Sequence, residues 1–140
     1  MPVEELARSE VVTVEPEISV SEVASKLKNE GVGSVVVTEG GQPVGILTDR
    51  DLVVRVISEG IDASELTAED IMSENLCTAK PDDGFAEAAR MMSENGVRRL
   101  PICDDGGDLQ GIITADDMTE LLADEQQQLA DVIRAQRPSY

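Results

Sequence analysis

Hydrophobic and polar positions in this 140-residue chain change period in a fixed order, and the order comes round twice. Val11 to Val14 is a short β-rich run ended by Pro16. Ser19 follows as a helix N-cap with Glu22 three residues on, the spacing of a capping box. Val20, Val23, Ala24, Leu27 and Gly31 recur at helical spacing and predict one apolar face, with Gly31 at a left-handed stop. Val35-Val36-Val37 is unbroken and apolar, which predicts a strand buried on both faces. Glu39-Gly40-Gly41-Gln42 predicts a hairpin turn, Val44 to Leu47 the returning strand, and Thr48 the start of a second helix closed near Gly60.

The second pass keeps the same faces. Phe85, Ala88, Ala89, Met92 and Gly96 repeat the first helix, with Gly84 in place of the capping Ser and Glu87 retained. Leu100-Pro101-Ile102, the turn Asp104-Asp105-Gly106-Gly107-Asp108 and Leu109 to Ile113 repeat the hairpin. Gly45-Ile46-Leu47-Thr48-Asp49-Arg50-Asp51 returns as Gly111-Ile112-Ile113-Thr114-Ala115-Asp116-Asp117. The offset is 65 from Pro16 to Pro81 and from Gly31 to Gly96, and 66 from Thr48 to Thr114, so one residue enters the second copy between these points. A period this long marks two copies of one supersecondary unit. The fold expected is α/β (α+β), two β-α-β-β-α repeats at 3–60 and 68–123 with a polar connector at 61–67. Val3-Glu4-Glu5-Leu6-Ala7 and Ala68-Glu69-Asp70-Ile71-Met72 lead into the two copies. In the remaining tail, 124–140, Leu129, Val132 and Ile133 predict one further amphipathic helix. Units of this size bury too little surface alone, so the copies are expected to pack on each other.

Composition narrows the function. The core must be aliphatic, because the chain has one Phe, one Tyr and no Trp. Eleven basic residues against 29 acidic ones give a formal net charge of −18. Such a chain lacks the clustered cations that a phosphate backbone or an anionic membrane requires, so neither nucleic acid nor membrane is expected as a partner. The charge fits a functional field, a docking face for a basic partner or adaptation to a salty cytoplasm. The acids are spread rather than blocked into a tail, which favours the last, where the screening length falls to about 3 Å at 1 M salt. The expected outcome is a higher unfolding midpoint in molar salt than in dilute buffer; an unchanged midpoint removes the idea. There is no apolar run near 18 residues and no basic-then-apolar amino terminus, and the two cysteines, Cys77 and Cys103, have no framework spacing. A reducing, cytoplasmic setting is expected, with both thiols acting as small buried hydrophobes.

Histidine is absent, which removes the commonest general base and the usual nucleophilic triads. No metal site is expected either, since Asp104 to Asp108 lacks calcium-loop spacing. What remains is the strand-Thr-x-x-Asp-helix corner, present twice. One such corner alone reads as an ordinary helix cap. Two at the same place in two repeats point to a site: free amides at a helix start attract anions, a Thr hydroxyl bonds a phosphate or sugar oxygen, and the carboxylate one turn in accepts from a vicinal diol. Diol plus phosphate describes a ribonucleotide.

The doubled pattern resembles a tandem pair of cystathionine β-synthase (CBS) domains. The matching stretches are Val12-Thr13-Val14-Glu15-Pro16, Gly31 to Val37 and Gly45 to Asp51 in the first copy. In the second they are Cys77-Thr78-Ala79-Lys80-Pro81, Gly96 to Ile102 and Gly111 to Asp117, preceded by Asp70-Ile71-Met72. The resemblance covers residues 3 to about 123. It implies repeats packed through their sheets about a pseudo-twofold axis, two clefts between them, and an adenosine-containing ligand of the AMP, ATP, NAD or S-adenosylmethionine type. Carried over by position, Asp51 and Asp117 hold ribose hydroxyls, and Thr48 and Thr114 touch ribose or phosphate. Val11, Leu76, Val32-Gly33-Ser34 and Val97-Arg98 wall the base. Arg98 and Arg99 match positions that often face phosphates, and Arg50 lies between Thr48 and Asp51. Because Gly33 and Ser34 stand where the second copy has Arg98 and Arg99, unequal clefts are expected, the stronger being the one Arg99 reaches. The resemblance also implies a non-catalytic regulatory module, without a resident cofactor, that pairs into a flat homodimer and acts on an unidentified target protein. The alternatives are an interaction module with empty clefts and a magnesium-responsive sensor.

Overall fold

The computed structural model describes residues 1–74 and 76–138. After a 3-10 turn at Val3–Glu5 come β1 (Thr13–Val14), α1 (Val20–Glu30), β2 (Ser34–Glu39), β3 (Gln42–Thr48) and α2 (Asp49–Leu52), which continues as a π-helical stretch over Val53–Ile57. A second 3-10 turn (Ala63–Glu65) leads to α3 (Ala68–Ile71). The second repeat supplies α4 (Phe85–Asn95), β4 (Arg99–Cys103), β5 (Leu109–Thr114) and α5 (Ala115–Gln136).

Local chemistry places these elements. Ser19 accepts from the Glu22 amide, and Gly31 (φ 66°) and Gly96 (φ 62°) end α1 and α4 in left-handed conformation. Gly40 and Gly41, at φ 58° and 81°, supply the two positive φ angles of the tight β2–β3 turn. In the longer β4–β5 turn, Asp104 Oδ1 accepts from the amides of Gly106 and Asp108, so Asp104 spends this oxygen on its own loop. β1 runs parallel to β2, and β2 antiparallel to β3. In the second repeat β4 pairs antiparallel with β5, and the counterpart of β1 shrinks to one parallel bridge, Ala79 to Ile102.

Each repeat has its own aliphatic core, but the lead-in segments are exchanged. Val3, Leu6 and Ala7, ahead of the first repeat, pack in the second core with Leu100, Ile102, Ile113 and Met118. Ala63, Leu66, Ala68 and Ile71, ahead of the second repeat, pack in the first core with Val23, Val35, Val37 and Leu47. The connector over 61–67 is therefore partly a core element: the amide of Val20 donates to the Leu66 carbonyl at 2.9 Å, and that of Ala68 to the Ile18 carbonyl at 2.9 Å. The hairpin tips also bond across the halves, Gln42 Nε2 to the Gly106 carbonyl and the Leu109 amide to the Gly41 carbonyl, each at 3.0 Å.

The tail differs from the separate helix expected. The helix begun at Thr114 runs on without a break to Gln136, because no Gly or Pro interrupts residues 115–136. Its outer turns leave Leu129, Val132 and Ile133 exposed, as α2 and its continuation leave Val53, Val54 and Ile57.

Candidate functional site

The exchange of lead-ins brings two clefts between the repeats, related by swapping equivalent residues. Ile46 and Pro101 floor the first, and their twins Ile112 and Val36 floor the second. The first cleft encloses about 340 Å³ and the second about 230 Å³. A wider, open depression of about 740 Å³ along residues 7–13 shares Arg8, Glu10, Val11, Val12 and Val32 with the second cleft, and neither elbow lines it.

Thr48, Asp51, Leu76, Val97, Arg98 and Arg99 all line the first cleft, together with Ser73, Cys77, Asn95 and Gly96, which the sequence did not point to as site residues. Thr114, Val11, Val32, Gly33 and Ser34 line the second, with Arg8, Glu10 and Asp116. Asp117, expected there as the twin of Asp51, lines neither cleft, and Arg8, which does line the second, holds its carboxylate at 2.9 Å. Arg99 lines both clefts, so its reach does not distinguish them; its guanidinium lies 3.6 Å from where a Cβ on Gly33 would stand. Arg98 lines only the first, and its guanidinium donates to exposed Asp116 at 3.1 Å. Arg50 is exposed and lines neither cleft; adjacency in sequence to Thr48 and Asp51 puts it on the outer side of α2.

Both elbows are complete capping boxes. Asp51 Oδ2 accepts from the Thr48 amide at 2.9 Å while Thr48 Oγ1 accepts from the Asp51 amide at 3.1 Å. Asp117 Oδ2 accepts from the Thr114 amide at 3.3 Å and Thr114 Oγ1 from the Asp117 amide at 3.1 Å. The sequence holds a third such corner, Thr67 with Asp70, capping α3 in the same way and lining neither cleft. The motif by itself is helix-start chemistry, and what sets the two elbows apart is the cleft beside them. A cap uses one carboxylate oxygen and leaves the other as an acceptor. In the first elbow Asp51 Oδ1 has its nearest cation, Arg55 Nε, at 3.8 Å, beyond hydrogen-bond range. In the second, Asp117 Oδ1 already accepts from Arg8 at 2.9 Å. The side chains of Asp51 and Asp117 are only 18% and 12% exposed, so each remaining oxygen sits where a hydrogen bond is little diluted by water.

The thiols add no visible chemistry. Cys103 is buried in β4, and burial pushes its thiol up, with Asp104 and Asp108 adding to the shift. It stays a protonated, small hydrophobe at neutral pH. Among the described residues no group of three or more His, Cys, Asp or Glu side chains is disposed to hold a metal ion, and no helix is long and apolar enough to cross a membrane.

Comparison with known proteins accords with this architecture. The CBS domain family matches residues 3–58 and again 68–124. An uncharacterized protein of Methanopyrus kandleri is 44% identical over 118 residues, which is 84% of this chain and 60% of that protein. A CBS domain-containing protein of Bacillus subtilis, YhcV, is 34% identical over 116 residues, 83% of this chain and 81% of the relative. Among solved structures, the CBS domain pair of protein MJ0100 in complex with 5-methylthioadenosine and S-adenosyl-L-methionine superposes with a TM-score of 0.81 at 25% identity, covering 89% of this chain and 98% of that one. With the duplicated elbows, the two clefts and both family matches in register, the chain belongs to the CBS domain family, as a tandem pair.

Proposed function

We propose that this chain is a regulatory module that takes an adenosine-containing ligand between its repeats and has no catalysis of its own. The observation that carries the reading is the first cleft: Asp51, whose Oδ1 has no hydrogen-bond partner among the described residues, lines a recess that Arg98 and Arg99 also line. A ribose diol donates to such a carboxylate, and the two guanidinium groups suit a phosphate. Ile46, Leu76, Val97 and Pro101 supply apolar wall for a base. The adenosyl ligands in the MJ0100 structure support the same class of ligand here.

A ligand regulates only through differential affinity for two arrangements of the halves, and a cleft walled by both repeats provides that difference. Pairing of two copies belongs to the same proposal. The exposed apolar residues of the π-helical stretch after α2 and of outer α5 offer the surface, and a second copy with the same surface is the occupant.

Calorimetric titration with AMP, ATP, NAD and S-adenosylmethionine tests the reading. Saturable heat with at least one of the four is expected. Silence with all of them removes the proposal, and a response to magnesium alone would favour a cation sensor instead.

A further inference from the structure

Residues 8 and 73 hold the same place in the two halves, 65 positions apart. Each lies against the last strand of a hairpin. Arg8 exchanges two backbone hydrogen bonds with Ile112, both 3.0 Å, and Ser73 exchanges two with Ile46, at 3.0 and 3.2 Å. Gly111 permits the closer of these approaches, because a Cβ there would stand 2.8 Å from the Arg8 carbonyl oxygen. The backbone therefore fixes residue 8 beside the second elbow as firmly as it fixes residue 73 beside the first.

The side chains break the symmetry. Ser73 is short, and Asp51 Oδ1 keeps no hydrogen bond among the described residues, its nearest cation being Arg55 at 3.8 Å. Arg8 is long, and its guanidinium donates to Asp117 Oδ1 at 2.9 Å. Since Asp117 Oδ2 is engaged by the Thr114 amide, both oxygens of this carboxylate are committed inside the protein. The sign of the surroundings differs as well. Glu10 and Asp116 line the second cleft beside Arg8, whereas Asp51 is the single acid lining the first.

We propose that Arg8 is an internal competitor for Asp117, a residue that makes the two clefts unequal by occupying the carboxylate that a ribose would otherwise use. The proposal rests on the adenosyl reading above. Asp117 does not line the second cleft while Arg8 holds it, so a ligand there reaches this carboxylate only by displacing a charge-assisted hydrogen bond. That lowers its affinity by roughly ten- to a hundredfold relative to a cleft whose carboxylate oxygen has its nearest cation beyond hydrogen-bond range. In the first cleft no such displacement is needed.

The test is Arg8→Ser, which gives the second half the side chain of the first. Arg8 is largely exposed and its backbone bridge needs no side chain, so the fold should be retained; a thermal melt checks this. Parent and variant are titrated with AMP, ATP, NAD and S-adenosylmethionine. In the parent one strong site is expected, with the second weak or undetected. In Arg8→Ser the second site should tighten about ten- to a hundredfold while the strong site keeps its affinity. Two equal sites in the parent, or a weak site unmoved by the substitution, overturn the role of Arg8 and leave the adenosyl reading standing. A second site that weakens in Arg8→Ser makes Arg8 a ligand contact and overturns the proposal too. No saturable heat from either protein with any of the four compounds overturns both readings together.

Discussion

Asp51→Ala is expected to weaken the strong site for an adenosyl ligand by about 1.5–3 kcal/mol, or roughly ten- to a hundredfold. The argument is local. Asp51 Oδ1 is the acceptor left over after capping, on a side chain that is mostly shielded from water. Removing it deletes the hydrogen bonds from a diol, while the Thr48 hydroxyl and both guanidinium groups remain to hold part of the ligand. Asp117→Ala is the internal comparison. Its free oxygen is taken by Arg8, so the same truncation in the second half should move the strong site hardly at all. Titration of both variants decides the matter. Equal losses would mean that the clefts share the ligand evenly, and no loss from Asp51→Ala would remove Asp51 from the site. Both substitutions also remove the carboxylate half of a capping box, and Asp117→Ala loses the Arg8 hydrogen bond besides, so Asp117→Ala should melt at least as low as Asp51→Ala while disturbing the strong site less.

Leu100→Ala is expected to cost about 2–5 kcal/mol of stability. Leu100 is fully buried in the second core, and truncation leaves a cavity among Val3, Ile102 and Ile113. At about 2–4 °C per kcal/mol for a chain of this order, the midpoint falls by roughly 5–20 °C. The shape of the transition carries as much information as its position. Each core is completed by a lead-in segment from the other side of the sequence, so neither half can lose its packing without releasing the 3-10 turn or short helix that leads into its twin. One cooperative transition is therefore expected in calorimetry, shifted as a whole. Two resolved transitions, with only the second moved by Leu100→Ala, would show that the halves unfold independently.

Most of the repeat was legible because its signals are local. Gly31 and Gly96 stop helices where the sequence places them, and the Gly pair at 40–41 turns a hairpin, since positive φ is a property of one residue at a time. The elbows were legible for the same reason: a cap spans four residues. The exchange of lead-ins was not, because Val3 and Leu100 meet across nearly the whole chain, and no periodicity reports a non-local contact. Arg8 escaped notice likewise. It lies 109 positions from Asp117, and the signal that would have found it is the offset itself, which sets an Arg against Ser73. Arg50 shows the converse error. Proximity along the chain suggested a role, but residue i and its neighbour on a helix point about 100° apart. The tail was read as a separate element where the helix simply continues, since composition changed there but no breaker intervened.

Arg99 borders both recesses with a single cationic group. On the proposed reading, a guest that recruits that guanidinium takes it away from the other recess, so the two occupancies would not be independent variables. Thermodynamic linkage then requires the penalty to be mutual: the first guest disfavours the second by the same factor as the second disfavours the first. On that reading a duplicated molecule carries, in one unduplicated side chain, a means of answering ligand concentration in two steps instead of one.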